Sequence, residues 1–421
     1  MRNETKHFRE PAGTAKQPPA ATFCPWRRHR QRSALQWRVL AFPQATCLPL
    51  LAIGLSIALF PFSAYLKLAA AAPGPFYEVR EVKPNVFVWV PDDILDQEAD
   101  PQFRRAGTAG FIITPEAVVV INAANSPFHA RDLLYEIRQR TDRPVKYVVD
   151  TDSDGEHTLG NEVFVDGQAV ILSTAAVQVT IRNYRDELRQ RLRGDWRLQT
   201  RMRGFHPTPP GETFEGEMVL RLGTELSPVT PGRPGPGSAG GAPAALPAEE
   251  IKLIQLDRMP RTGRPLSSPA TKVAARNAGS SPAGAEAQGS DSTGDLAVYL
   301  PGSKVLFLGD LFQNGYYPRF GARPHLRDVG RWIETVRQVE SWNVDVYVPG
   351  HGPPCARKEL SDFRRFLEWL MNEVSTRVKE GKGLDRVQEE LKTPLAAYHW
   401  HAPELAAGAV EAVYDQMAKA H

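Results

Sequence analysis

Side chains that could bind a cation are concentrated in four short segments of this chain. The first segment, residues 150–161, is DTDSDGEHTLGN, and the other three contain Asp291, Asp310 and His351. Five groups of the first segment can bind a cation, and the glycine among them permits a tight turn. Taken alone, the acidic segment is equally well explained as a solvated loop with helix caps. Four such segments in one chain favour a metal centre.

Each of these segments borders a predicted strand. Strands at Val145–Val149, Val305–Leu308 and Val344–Val348 precede three of them, and Leu296–Leu300 follows the fourth. Val145–Val149 is expected to be buried on both faces. Sites in layered α/β folds are usually built at strand ends. The other predicted elements are a hairpin of Gly110–Ile113 with Ala117–Ile121, a strand at Ala169–Leu172, a strand-like run at Ile251–Leu256, and helices near 126–140, 174–192, 326–341, 358–380 and 404–419.

This mixture of strands and helices predicts an α/β layered domain with two sheets and helices outside them. Of the 421 residues, 42% are hydrophobic and 24% are charged, which is ordinary for a globular protein. The net charge of +3 argues against a nucleic-acid binder, which would carry a large basic excess. Three cysteines, two of them in the N-terminal region, cannot form a disulfide framework or a thiolate zinc site.

The N-terminal 72 residues have the pattern of a targeting segment. A basic cluster from Arg27 to Arg38 precedes an uncharged run, Val39–Leu66, which is followed by four alanines at 69–72. This order predicts a secretory signal peptide, with export to the periplasm or the medium. An uncleaved anchor at residues 39–66 is the alternative, and it would be the chain's sole contact with a membrane.

Residues 73–421 are predicted to form one domain that carries an insertion. From 227 to 290 the sequence is rich in proline, glycine, alanine and serine, and only the strand-like run at Ile251–Leu256 interrupts it with an apolar period. Such a segment cannot bury a core, so we expect a disordered, low-complexity insertion. It interrupts one domain, because the strands on its two sides continue a single pattern.

The four segments together resemble the metallo-β-lactamase superfamily, over about Tyr77 to Ala418. Residues 151–161, TDSDGEHTLGN, are similar to the family phrase THYHGDHTLGN, and Asp291 falls on the His of a phrase like GHTDGDLVVYLP. Gly309-Asp310 and Pro349–Pro353, PGHGP, match the last two ligand segments. The resemblance implies a four-layer αβ/βα sandwich with metal at one edge, between the sheets.

The chain departs from the family in its first metal position. The three His that hold that position in the family are Asp152, Asp154 and Asp291 here. The second position keeps its usual chemistry with one conservative change. Its ligands are expected to be Glu156, His157, Asp310 and His351.

Three hypotheses follow from this departure. In the first, one or two divalent ions still activate a water that attacks an ester, lactam, phosphoryl or sulfuryl centre, with Asp154, Glu156 and Asp310 as catalytic groups. Imidazole suits zinc, whereas added carboxylates favour harder ions such as Mn, Fe, Mg or Ca. In the second, only the second position holds a metal, and Asp152 or Asp154 is the general base. In the third, the protein is a catalytically inactive binding protein.

The expected partner is a small-molecule substrate. A basic stretch of the sequence could attract a substrate that is anionic. That stretch runs from Arg182 to Arg203 and is explained more simply as a solvated helix face. Cys355 is expected to be a structural thiol rather than a nucleophile. The remaining histidines match no ligand phrase and are expected at the surface or in packing; these are His129, His206, His325, His399 and His401. Trp332, Trp342 and Trp369 are expected in the core.

Overall fold

The computed structural model describes residues 76–92, 104–222, 250–256, 259, 294–320 and 328–419. All of them belong to the compact unit Ala72–His421. The predicted leader 1–72 lies outside the described residues, as does nearly all of the predicted insertion 227–290. Among the described residues, no helix is long and apolar enough to cross a membrane.

Twelve strands of the described residues form two sheets. Strands β1 to β7 form the first sheet in sequence order, and β8 to β12 form the second in the order β12-β11-β10-β9-β8. The strands are β1 Tyr77–Lys83, β2 Val86–Pro91, β3 Ala109–Ile113, β4 Val118–Ile121, β5 Val145–Val149, β6 Val170–Thr174, β7 Glu212–Phe214, β8 Glu217–Arg221, β9 Glu250–Gln255, β10 Leu296–Leu300, β11 Val305–Phe307 and β12 Val346–Val348.

Both sheets are mixed. Strands β1 to β4 are antiparallel, and β4 to β7 run parallel. In the second sheet β11 and β12 are parallel, and the other neighbours are antiparallel. The carboxyl ends of parallel strands lie at one edge of a sheet, which places the segments after β5, β11 and β12 where a site can form.

Nine α-helices of the described residues pack outside the sheets. One core fills the space between the sheets, with Val88 and Ile121 facing Leu253 and Val298. A second core lies under α1 and α3, and a third lies under α6 to α9. The helices are α1 Pro127–Arg138, α2 Gly155–Thr158, α3 Asn161–Val165, α4 Ala175–Gly194, α5 Trp196–Arg201, α6 Val329–Glu340, α7 Arg357–Lys379, α8 Leu384–Ala396 and α9 Ala406–Lys419. The predicted four-layer αβ/βα sandwich is therefore confirmed.

Local sequence explains several element boundaries. Helix α1 begins after Ser126, whose hydroxyl accepts a hydrogen bond from the His129 amide at 3.2 Å, with Pro127 at the first helical position. Thr174 caps α4 in the same way, accepting from the amide of Val177. The strand-like run at Ile251–Leu256 is confirmed as β9.

One expectation about burial was wrong. Strand β5 was predicted to be buried on both faces, but Lys146 is exposed and Tyr147 is half-buried. The lysine keeps its ammonium in water, 5.5 Å from the centre of the Tyr147 ring. Of the three tryptophans expected in the core, Trp332 is fully buried, and Trp342 and Trp369 are partly buried against the same cluster.

Candidate metal centre

Backbone hydrogen bonds join the segments after β5, β11 and β12 to one another and to the residues just before β3. The amide of Gly350, after β12, donates to the carbonyl of Gly309, after β11, at 2.8 Å. The amide of Thr108 donates to the carbonyl of Gly350 at 2.7 Å, and that of Gly107 donates to the carbonyl of Glu156 at 3.1 Å. The segments from both sheets are therefore held together by main-chain hydrogen bonds as well as by side-chain contacts.

Three buried side chains converge at this edge. One ligand atom each of His157, Asp310 and His351 lies within 4.8 Å of the other two. Asp310 Oδ1 is 3.7 Å from His157 Nε2 and 3.4 Å from His351 Nε2. Two imidazoles and one carboxylate are a common ligand set for zinc and for iron.

Asp152 is positioned to orient His157. Its Oδ2 lies 2.7 Å from His157 Nδ1 and 2.8 Å from the Thr151 hydroxyl, and its Oδ1 accepts from the Asp154 amide at 3.0 Å. A carboxylate bonded to the far nitrogen of a metal-binding histidine fixes its tautomer and ring orientation. His157 Nε2 is thereby directed towards Asp310.

Glu156 contacts a histidine and an arginine. Its Oε2 lies 2.9 Å from His351 Nε2, and its Oε1 accepts a hydrogen bond from the guanidinium of Arg319. The same guanidinium is 3.9 Å from Asp154 Oδ2. Arg319 thus joins two of the carboxylates that the sequence suggested as metal ligands.

These contacts shift the pKa values of the side chains that they join. Burial alone would raise the pKa of Glu156, but Arg319 and His351 outweigh it and lower that pKa to about 2. Burial alone would lower the pKa of His157, but Asp152 and Asp310 raise it to about 10. Burial raises the pKa of Asp150 well above its usual range, against a hydrogen bond from Asn161.

Two glycines permit the close approach of these groups. A Cβ at Gly107 would lie 2.0 Å from Cδ2 and 2.1 Å from Nε2 of His157, so only glycine leaves room for that ring. Gly309 has a φ of +51°, and a Cβ there would lie 2.4 Å from the Thr151 hydroxyl. Glycine at these two positions therefore leaves room for His157 and for the Thr151 hydroxyl. The ligand atoms of His157, Asp310 and His351 fit a divalent metal ion.

Comparison with known proteins gives one curated relative. No family model matches this chain. A linear primary-alkylsulfatase of Pseudomonas sp. (strain ATCC 19151) is 22% identical over 302 residues, which are 68% of this chain and 50% of that protein. The chain therefore spans about half the length of the curated relative that it matches.

Solved structures similar to this chain include metallo-beta-lactamases. The enzyme from Pontibacter korlensis is 14% identical with a TM-score of 0.42, over 69% of this chain and 99% of that one. The DIM-1 enzyme is 13% identical with a TM-score of 0.43, over 70% of this chain and 98% of that one.

The structure brings six of the seven predicted ligands to one place. These are Asp152, Asp154, Glu156, His157, Asp310 and His351, and the seventh, Asp291, lies outside the described residues. Their roles in metal binding and catalysis stay predictions. Within the site, Asp152 accepts a hydrogen bond from the amide of Asp154. Asp154 and Glu156 face Arg319.

Three contributors were not found from the sequence. Arg319 follows Asp310 by nine residues in a loop without a motif, so no pattern pointed to it. Tyr316 lies 5.7 Å from the His351 ring, between centroids, and stacks on His401 at 4.8 Å. His401, which was expected at the surface or in packing, therefore packs beside the site.

The other features agree with their simpler interpretations. The basic stretch lies on α4, α5 and the following turn, where Arg182, Arg189, Arg191, Arg193, Arg197 and Arg203 are exposed. Cys355 is a free thiol, and burial raises its pKa to about 12, which makes it a poor nucleophile.

Proposed function

We propose that this chain is a metal-dependent hydrolase that binds a divalent ion through His157, Asp310 and His351. The observation that supports it best is the convergence of these three buried ligand atoms within 4.8 Å. The donor set suits zinc, and also iron or manganese. When bound, such an ion would act as a Lewis acid that promotes attack by water near neutral pH.

The surrounding residues have separate tasks in this proposal. Asp152 orients His157 through Nδ1, and Tyr316 packs against the ring of His351. Asp154 is the proposed proton acceptor. Both oxygens of Asp152 already accept hydrogen bonds, and a pKa of about 2 makes Glu156 a weak base.

The proposed substrate is an anionic ester, and an alkyl sulfate is the first choice. The relative described above is a linear primary-alkylsulfatase by name, which supports this class. The exposed arginines of α4 and α5 would also attract an anion. Export through a leader at 1–72, ahead of a domain at 73–421, remains part of the proposal, and the mass of the chain recovered from periplasm and medium would test it.

The first experiment is the metal content of the full-length chain. The chain is expressed with Zn, Mn, Fe, Mg and Ca available, and elemental mass spectrometry counts the ions that co-purify. His157→Ala and His351→Ala should each abolish retention, whereas His206→Ala, at an exposed position, should not. Equal metal content in all four proteins would contradict the proposed ligands.

Turnover is then measured with the ion that binds. Dodecyl sulfate and the 4-nitrophenyl esters of sulfate, phosphate and acetic acid cover the anionic and neutral classes. Asp310→Asn should lose hydrolysis while the circular dichroism spectrum stays native. Metal binding without hydrolysis of any ester would contradict the enzyme proposal.

The alternative is a catalytically inactive binding protein on the same fold. The observation that favours it is the pairing of Arg319 with Glu156 and Asp154, which offsets buried negative charge without an added ion. A folded protein that retains no metal under all five supplies would support this alternative.

A further inference from the structure

Three carboxylates that were expected to hold metal ions, Asp152, Asp154 and Glu156, are engaged by other groups of the chain. The two oxygens of Asp152 contact His157, the Thr151 hydroxyl and the Asp154 amide. Asp154 and Glu156 both face the guanidinium of Arg319. The positively charged guanidinium of Arg319 therefore lies where these carboxylates converge.

The contact between Arg319 and Glu156 is not an ordinary surface ion pair. The Glu156 side chain is 1% exposed and that of Arg319 is 28% exposed, so water screens the pair only from one side. A guanidinium stays protonated at every pH at which proteins fold, and its planar donors match a carboxylate. Arg319 is a permanent cation at this position.

We propose that Arg319 is a built-in cation that replaces a second metal ion, so that the centre takes one divalent ion rather than two. This inference rests on the proposed metal binding by His157, Asp310 and His351. It goes further by giving the number of ions and the residue that sets it.

Electrostatics explains why the two cations exclude each other. A divalent ion bound by Asp154 and Glu156 would lie beside a guanidinium within a few ångströms and be repelled by it. To bind, it would have to displace Arg319 from Glu156, and a partly buried guanidinium would then lose its carboxylate partner. Arg319 also interacts electrostatically with Asp310, but its direct ion pairs are with Glu156 and Asp154, so the conflict is strongest on their side of the centre.

The test counts ions in the full-length wild type and in Arg319→Met. Each protein is equilibrated with excess Zn²⁺ or Mn²⁺, desalted and analysed by elemental mass spectrometry. We expect about one ion in the wild type and about two in Arg319→Met, because the variant removes the positive charge beside two carboxylates. Circular dichroism and the melting temperature report whether each variant is folded.

Three further variants make the test specific. Arg319→Lys keeps the charge and should retain about one ion. Arg105→Met removes another buried arginine, 7% exposed and paired with Glu404, and should also leave about one ion. The double variant Glu156→Gln with Arg319→Met removes a ligand together with the cation, and should return to about one ion. If Arg319→Met alone does not fold, the double variant can still be measured, because it lacks the Glu156 carboxylate that would otherwise lose its arginine.

The outcomes separate this inference from the proposed function. Two ions in the wild type, or no gain in Arg319→Met, would overturn the inference while leaving metal binding intact. An additional ion in Arg319→Met, with none in the wild type, would support the role of Arg319 and contradict metal binding by the native centre. No ions in either protein would overturn both.

Discussion

Replacing Gly107 with alanine would place a methyl group against the ring of His157. The added carbon would lie 2.0 Å from Cδ2 and 2.1 Å from Nε2. Carbon atoms in contact are about 3.5 Å apart, so the ring would have to move by about 1.5 Å. The ring cannot move freely, because Asp152 Oδ2 holds Nδ1 at 2.7 Å. The variant must therefore strain the backbone or break this contact.

The magnitude follows from these contacts. Overpacking a closed site costs about 1–3 kcal/mol of unfolding free energy. Metal–ligand distances tolerate changes of only about 0.2 Å, so a ring displaced by more than 1 Å no longer binds the ion well. We expect the affinity for Zn²⁺ to fall by at least about 10–100-fold, as when the group that orients a ligand is lost.

The assay combines urea denaturation without metal and Zn²⁺ titration by calorimetry. Gly211→Ala is the matched control, because nothing lies within 4 Å of a Cβ at that position. If Gly107→Ala binds Zn²⁺ like the wild type and is as stable as Gly211→Ala, His157 does not bind the ion in the orientation described here.

Four further predictions concern other features of the chain. Asp152→Ala should weaken Zn²⁺ binding by about 10–100-fold in calorimetry, and a loss above about 1000-fold would instead indicate a direct ligand. At pH 8, iodoacetamide should label native Cys355 about three orders of magnitude more slowly than in the urea-unfolded chain, since its pKa is about 12; peptide mass spectrometry measures both rates. That raised pKa also contributes stability that is present below about pH 8.5 and is lost as the pH rises towards 12, because the unfolded thiol ionises first; urea denaturation at several pH values measures the loss. Trp332→Phe removes a 2.8 Å hydrogen bond to the carbonyl of Leu311 and should lower the unfolding free energy by about 1–3 kcal/mol in urea denaturation; no change would mean that water satisfies that carbonyl.

Much of the fold could be predicted because its signals are local. Alternation and apolar runs indicated most strands around the site, and Ser126 with Pro127 placed the start of α1. Helix α8 was missed, and its sequence carries Pro394 near its end, which usually marks a helix boundary. Strands β1, β2, β7 and β8 were missed as well, and β7 and β8 contain charged residues that leave only a short apolar run.

The site was predictable in position and less so in detail. Motif spacing indicated which residues meet, because strand ends converge at one edge. It could not show that Asp152 contacts His157, since that depends on the hydrogen bonds from Thr151 and Asp154. Arg319 reaches Glu156 only through the fold, across 163 residues of sequence. A contact of that kind leaves no local pattern.

The division of the donors between the two sheets has a consequence for the order of folding. His157 follows a strand of the first sheet and contacts Gly350, 193 residues further on, after the last strand of the second. Neither half of the chain can assemble the ion-binding group alone, and contacts of such long separation form late. An ion should therefore leave the refolding rate nearly unchanged and slow unfolding instead. During synthesis, the segment 150–157 would emerge long before Arg319 and His351 exist.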